Sequence, residues 1–365
     1  MIRPPRPPYA QRGLTLIELM IALGLGLLLV AALGYLYSGQ RQSWRTLEAV
    51  ARLQENGRLA MELVGRDLRQ AGYAGCLSLP EARPVSWVKL ADTTKTDAFG
   101  SLITPFLTDG RLVTGYAGWG VDRNLDGTVN STDRPNNYLV GTDTLFLVGG
   151  QDPVAYTSAA MTSVSAAIPI TANSLRFSQG ELVLISDCRS VDIFRISGPA
   201  GNDVTYSNTL PHDDTDTRNE NDRLTRSYEK GASVMPLALH VYYLGSNPAG
   251  RPALYRLPWV RHGRWGTSEE LVEGVEDMRL TYGVDNNNDG TVDSYNTAPN
   301  VTDWSRVRAV RVSLLLVSAE DGVAAAPQTY VWDTDNDGEL DDTVTAPDRR
   351  LRFVFTSTFA LRNRP

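Results

Sequence analysis

Three stretches of this chain repeat one spacing of oxygen-bearing side chains ahead of a glycine. The first runs through Asp122, Asn124, Asp126, Gly127, Thr128, Val129 and Asn130, with Asp133 three residues further on. The second comprises Asp285, Asn287, Asp289, Gly290, Thr291, Val292 and Asp293, and the third Asp333, Asp335, Asp337, Gly338, Glu339, Leu340 and Asp341. A hard cation such as calcium takes six to eight oxygens. Side chains at positions 1, 3 and 5 of a loop with a backbone carbonyl at 7 supply several of them, while glycine at 6 allows the sharp turn. The apolar residue at 8 (Val129, Val292, Leu340) is expected to point inward and fasten the loop.

A single Asp-Gly of this kind also makes an ordinary hairpin turn, so recurrence carries the argument. None of the three has a glutamate at position 12. Asp133 and Asn296 stand there in the first two loops, and Val344, which cannot ligate, in the third. The first two loops therefore look the better sites, and the expected role is structural calcium of modest affinity, about 10⁻⁴ to 10⁻³ M.

Other chemistry is thin. His212, His240 and His262 form no H-x-x-x-H pair, and G-x-S-x-G and phosphate-loop patterns are absent. Asp213, Asp214 and Asp216 beside His212 read as a solvated loop rather than a metal site. A non-enzymatic protein is expected. The net charge of −7 falls to −10 once the three arginines of residues 1–13 are set aside, which argues against nucleic acid as a partner. Arg306, Arg308 and Arg311 alternate as on a solvated strand face. Cys76 and Cys188, far apart in sequence, read most simply as a disulfide closing a long loop, worth about 4 to 5 kcal/mol on the loop-entropy model. Two unpaired buried thiols are the alternative.

The elements that must carry these residues begin with an anchor. Residues 14–37, LTLIELMIALGLGLLLVAALGYLY, hold one charge, Glu18, and no proline. A segment this apolar spans a bilayer as a helix. Arginines precede it, so the N-terminus is expected in the cytoplasm and the rest outside. Trp44, Leu47 and Ala51, then Ala60, Val64 and Leu68, recur at helical spacing, with Gly57 as a candidate bend.

After Cys76 the pattern becomes short β-rich runs. Strands are expected at 144–148, 181–186, 191–196, 237–244, 277–282, 307–317 and 351–361, with loops over 151–175 and 200–230. The expected fold is α+β, a long N-terminal helix on a mainly antiparallel sheet. Four parts follow: a leader (1–13), a membrane span (14–37), an amphipathic extension (38–75) and an extracytoplasmic β-rich domain (76–365).

The segment QRGLTLIELMIAL resembles the prepilin signal of type IV pilins and type II secretion pseudopilins. That resemblance implies a cut after Gly13 by a prepilin peptidase, Leu14 as the new N-terminus, and Glu18 as the acid that pairs with a neighbouring subunit's freed amine during assembly. Phenylalanine is common at that new terminus, and leucine here leaves its N-methylation open. The blocks QENGRLAMELVGRDLRQAGYAGC, LVLISDC, LVEGVEDMRLTYGVD and RLRFVFTSTFALRNR resemble the PilW family of minor pilins, several of them also the J-type minor pseudopilins. The PilW resemblance implies an inner-membrane subunit that joins other minor and major pilins. It further implies priming of the pilus from its tip, where a PilY-type adhesin is carried, and support of twitching motility and attachment. A type II secretion pseudopilin and a surface ligand-binding pilin-like adhesin are the alternatives.

Overall fold

A computed structural model describes residues 15–78, 113–121, 123, 129–152, 154–171, 177–197, 208–212, 223–260 and 264–363. Gly13, Leu14, Asp122, Asn124, Asp126, Thr128 and the acidic run after His212 lie outside them. The chain divides into two compact units, Met1–Ala51 and Arg52–Pro365. One helix, α1 (Leu16–Gln70), begins in the first and ends in the second.

In the first unit α1 opens with a reciprocal cap. The backbone N–H and hydroxyl of Thr15 donate to Glu18 Oε2 at 3.1 and 3.0 Å, and Glu18 N–H donates back to Thr15 Oγ1 at 3.3 Å. This is the Thr-x-x-Glu capping box, which satisfies amide groups that a helix start leaves without partners. Beyond it Leu16, Ile17, Ile21, Leu28 and Leu33 are all exposed. An 18-residue window here has a mean hydropathy of 2.6 with none of it buried, long and apolar enough to cross a membrane.

In the second unit the same helix buries a stripe at Leu53, Ala60, Val64 and Leu68. Burying each large aliphatic side chain contributes about 1.5 to 3 kcal/mol. Trp44 and Leu47, expected to share such a stripe, are 73% and 64% exposed, so the buried face starts only at Leu53. α1 runs through Gly57 without interruption. A Cβ there would lie 2.4 Å from the Phe355 ring, and one on Gly65 would lie 2.2 Å from the Phe359 ring. The two glycines are seats for aromatic side chains of the last strand. The helix stops at Gly72, whose φ of +76° suits a C-terminal cap, and Asn363 Nδ2 donates to the Ala71 carbonyl at 2.9 Å.

The principal strands are β1 (Val113–Tyr116), β2 (Thr144–Gly150), β3 (Leu182–Ser186), β4 (Val191–Arg195), β5 (Ser233–Ser246), β6 (Pro252–Val260) and β7 (Glu269–Glu273). They are followed by β8 (Val275–Val284), β9 (Ser294–Thr297), β10 (Val307–Val317), β11 (Thr329–Trp332), β12 (Asp342–Thr345) and β13 (Arg352–Ala360). All pairings among them are antiparallel.

β5 is the spine of the larger sheet. Its first residues pair with β3, which pairs with β4, and its later residues lie between β2 and β6. The smaller sheet has the order β9-β8-β10-β13. Leu145 and Leu147 of β2 enter one hydrophobic core with the helix stripe and with Val310, Val312, Leu314 and Leu316 of β10. Phe146 and Val148, on the opposite face of the same strand, enter a second core with β3, β4 and Tyr228. The larger sheet is thus buried on both faces.

All seven expected strands are present, β10 with the expected bounds and β5 longer at both ends. β6 was not among the expected strands, and it contains two prolines, Pro252 and Pro258, a residue that sheets tolerate only where no ladder donor is needed. Pro252 opens it, and Pro258 falls beyond Arg256, where the pairing with β7 ends. Cys76 and Cys188 form a disulfide with Cα atoms 5.0 Å apart, tying the chain just past α1 to the turn after β3.

Candidate functional site

Both fully described aspartate loops are hairpin connections. Asp285–Asp293 joins β8 to β9, closed by the pair Val284 and Ser294. Asp333–Asp341 joins β11 to β12, closed by Trp332 and Asp342. Their internal wiring is nearly the same. The first aspartate accepts from the glycine at position 6, Gly290 N–H to Asp285 Oδ2 at 2.9 Å and Gly338 N–H to Asp333 Oδ2 at 3.0 Å. The third side chain accepts from the fifth residue's amide, Asp289 to Asn287 at 3.0 Å and Asp337 to Asp335 at 3.3 Å. Position 4 is left-handed in both, Asn288 at φ 64° and Asn336 at φ 62°.

Each loop is also closed by a carboxylate that accepts from the amide at position 2. Asp293 does so from Asn286 at 2.7 Å and Asp342 from Thr334 at 2.9 Å. In the first loop Asp133 does it from Arg123 at 2.9 Å and also accepts from Asn130 N–H at 2.9 Å. Asp342 was not among the expected site residues; it lies one position past the pattern, so spacing alone pointed to Asp341. Val292 and Leu340 are half-buried, whereas Val129 is 50% exposed and does not fasten the first loop.

The surroundings separate the two loops. Asp285 is wholly buried, and Arg308 Nε and Nη2 both reach its Oδ2 at 3.2 Å. Burial alone would raise the Asp285 carboxyl; amide bonds from Gly290 and Asn288 and the Arg308 contact outweigh it and hold the carboxyl low. Arg306 Nη1 donates to the Asn286 carbonyl at 2.6 Å. Arg311 lies 3.9 Å over the Tyr295 ring. The three alternating arginines therefore serve the second loop and its strand rather than forming a free basic face.

Asp333 is 1% exposed and its Oδ1 has no hydrogen-bond partner. Burial pushes its carboxyl up, against the lowering pull of the Gly338 and Asn336 amides and the Arg279 charge. Asp333, Asp335 and Asp337 each offer a carboxylate oxygen within 4.8 Å of the others, and among the described residues this is the one such acidic group. Glu339 and Asp341 stand outside it. Behind the loop lie two more acids, Asp143, pushed up to about 7 by burial, and Asp277, also raised by burial. Arg279 serves this whole cluster: its Nη1 donates to Asp277 Oδ1 and the Gly141 carbonyl at 3.1 Å, and its Nε to the Asp333 backbone carbonyl at 3.0 Å.

At the helix end, a pocket of about 500 Å³ is lined by Arg66, Asp67, Tyr73, His240 and Arg256. Tyr242 Oη donates to Asp67 at 2.6 Å, and Arg256 bridges Asp67 and Glu269. These contacts pin the last turns of α1 to the sheet. Burial holds the His240 imidazole below its usual range.

Residues 9–34 match the prokaryotic N-terminal methylation motif, and the apolar helix that follows is exposed along the matched stretch. Together they make a prepilin-type start on a helix long and apolar enough to cross a membrane. Residues 241–363, from the middle of β5 through β13 and including both described loops, match the family model of the type IV pilus-assembly protein W, PilW. The chain thus carries a prepilin-type start and a C-terminal region similar to PilW. Among solved structures, a type IV-like pilin from Thermus thermophilus is 12% identical over 51% of this chain and 84% of its own, with a TM-score of 0.23, a superposition too loose to carry argument. No curated protein matches.

Proposed function

We propose that this protein is a non-enzymatic minor pilin that takes part in assembling a type IV pilus. The observation that carries this reading is the presence on one chain of the methylation motif at 9–34 and the PilW match at 241–363. In this reading a prepilin peptidase cuts between Gly13 and Leu14 on the cytoplasmic side, and the globular unit stands in the periplasm. Glu18 then meets the α-amine of a neighbouring subunit inside the membrane. An unpartnered ionisable group in a membrane helix costs roughly 2.5 to 3.5 kcal/mol on insertion scales, so pairing drives register as well as association. The subunit joins other minor and major pilins near the tip, where a PilY-type adhesin is its partner, and supports twitching and attachment.

Gly13→Ala and Glu18→Ala variants test this. Both are expected to reach the inner membrane, the first at precursor size, and both to fail to restore surface pili and twitching in a deletion strain. Normal piliation with either variant overturns the assembly role. Intact pili accompanied by failed protein secretion moves the subunit to a type II secretion machine.

A further inference from the structure

We propose that the hairpin loop Asp333–Asp341 binds a calcium ion through Asp333, Asp335 and Asp337, and that the loop of matching spacing at Asp285–Asp293 does not. Two independent observations support the site. The three carboxylates each bring an oxygen within 4.8 Å of the others. Oxygens that share a calcium ion at about 2.3 to 2.6 Å lie no further than about 5 Å apart. Separately, Asp333 Oδ1 is buried without a partner. A carboxylate oxygen removed from water is costly unless something pairs it, and a cation held by the three carboxylates would be that partner.

The charge balance agrees. Asp143, Asp277 and Asp333 crowd the base of the loop, Asp335 and Asp337 cover it, and Arg279 is already bonded to Asp277 and to two backbone carbonyls. Negative charge is left over. In the second loop the oxygen that matches it, Asp285 Oδ1, accepts from the Asp289 N–H at 3.1 Å, and the carboxylate's other oxygen, Oδ2, is held by the Arg308 guanidinium. A protein cation already does there what a bound ion would do, and a second cation would be repelled.

All three ligands are carboxylates, which suits a hard ion rather than zinc or copper. The loop is exposed at Asp335 and Asp337, so water completes the shell. Three carboxylates on one loop suit the larger, irregular shell of calcium better than magnesium, which demands a tight octahedron at about 2.0 to 2.1 Å. With Val344 at the twelfth position, affinity belongs to the weak extracellular class of about 10⁻⁴ to 10⁻³ M. The bound ion would clip β11 to β12. The proposal is independent of the pilus reading, since it concerns a hairpin and not the helix.

The test uses the full-length chain in detergent, freed of metal with EGTA and melted with calcium or magnesium chloride at 10 mM. Calcium is expected to raise the melting temperature by about 2 to 5 °C, magnesium by much less. The exposed pair Asp335→Asn/Asp337→Asn should lose this rise in whole or in part while melting like wild type in EGTA, and Asp289→Asn should keep it. As a second measurement, terbium emission sensitised by tryptophan should appear with wild type, be displaced by calcium, and weaken in the double variant. No calcium-dependent rise in wild type, an equal rise with magnesium, or a full rise and full emission in the double variant would each overturn the site.

Discussion

The loops at Asp285–Asp293 and Asp333–Asp341 have the same spacing, the same place in a hairpin, and nearly the same amide bonds inside. One ends with its buried carboxylate bonded to an arginine, the other with a buried carboxylate oxygen bonded to nothing. A ligand pattern in sequence thus describes the shape a loop takes, while residues far away in the chain decide whether that shape is already satisfied. Arg308 lies on β10, a strand that pairs with β8, and reaches Asp285 only because that pairing places Val307 opposite Val284.

Removing that arginine is the strongest way to break the difference. Arg308→Met leaves Asp285 buried without its cation, and taking one partner from a buried pair is strongly destabilising. The melting temperature without metal should fall by about 5 °C or more. The variant should then gain a calcium-dependent recovery that wild type lacks at this loop. An unchanged melting curve would mean that the amide bonds alone satisfy Asp285.

A smaller effect comes from the glycines at position 6. Gly290 and Gly338 both have positive φ, 89° and 99°, so alanine strains either by about 1 to 2 kcal/mol. A Cβ on Gly290 meets nothing within 4 Å, whereas one on Gly338 comes within 3.0 Å of Thr281 Cγ2 and 3.1 Å of Thr297 Cγ2. Gly338→Ala should therefore melt lower than Gly290→Ala. Equal losses would show that the third loop shifts away from β8 and β9 without cost.

The strongly periodic parts of this molecule were legible in its sequence, and the parts set by contact across the chain were not. The apolar run from Leu16, the strand Val307–Val317 and the Cys76–Cys188 bridge follow from composition, alternation and cysteine count. The start of the buried helix face at Leu53 rather than Trp44 does not, because periodicity continues whether or not a sheet is there to receive it. Gly57 read alone suggests a bend; only Phe355 opposite explains it. Asp342 was missed because a fixed spacing cannot register that the closing acid sits one residue later on β12. The Thr15-x-x-Glu18 spacing carries the capping-box pattern as well as the one charge of the apolar run.

The smallest effect is a difference of sign with pH. Amide bonds and Arg308 lower the Asp285 carboxyl in the folded chain below its unfolded value, outweighing the burial that by itself would raise it. Its contribution is present above the unfolded value of about 3.9 and is lost as pH falls through the lowered folded value. Asp333 runs the other way. Burial makes the folded chain hold that proton more tightly than the unfolded chain does, so its contribution is full below about 3.9 and is lost as pH rises through the raised folded value. In calcium-free buffer at pH 7, Asp285→Asn should therefore lower the melting temperature and Asp333→Asn leave it equal or raise it by about 1 to 3 °C. At pH 3 the Asp333→Asn difference should vanish, because both forms of that side chain are then neutral. Shifts of the same sign for the two variants at pH 7 would mean that the loops share one electrostatic setting, and that Arg308 does not distinguish them.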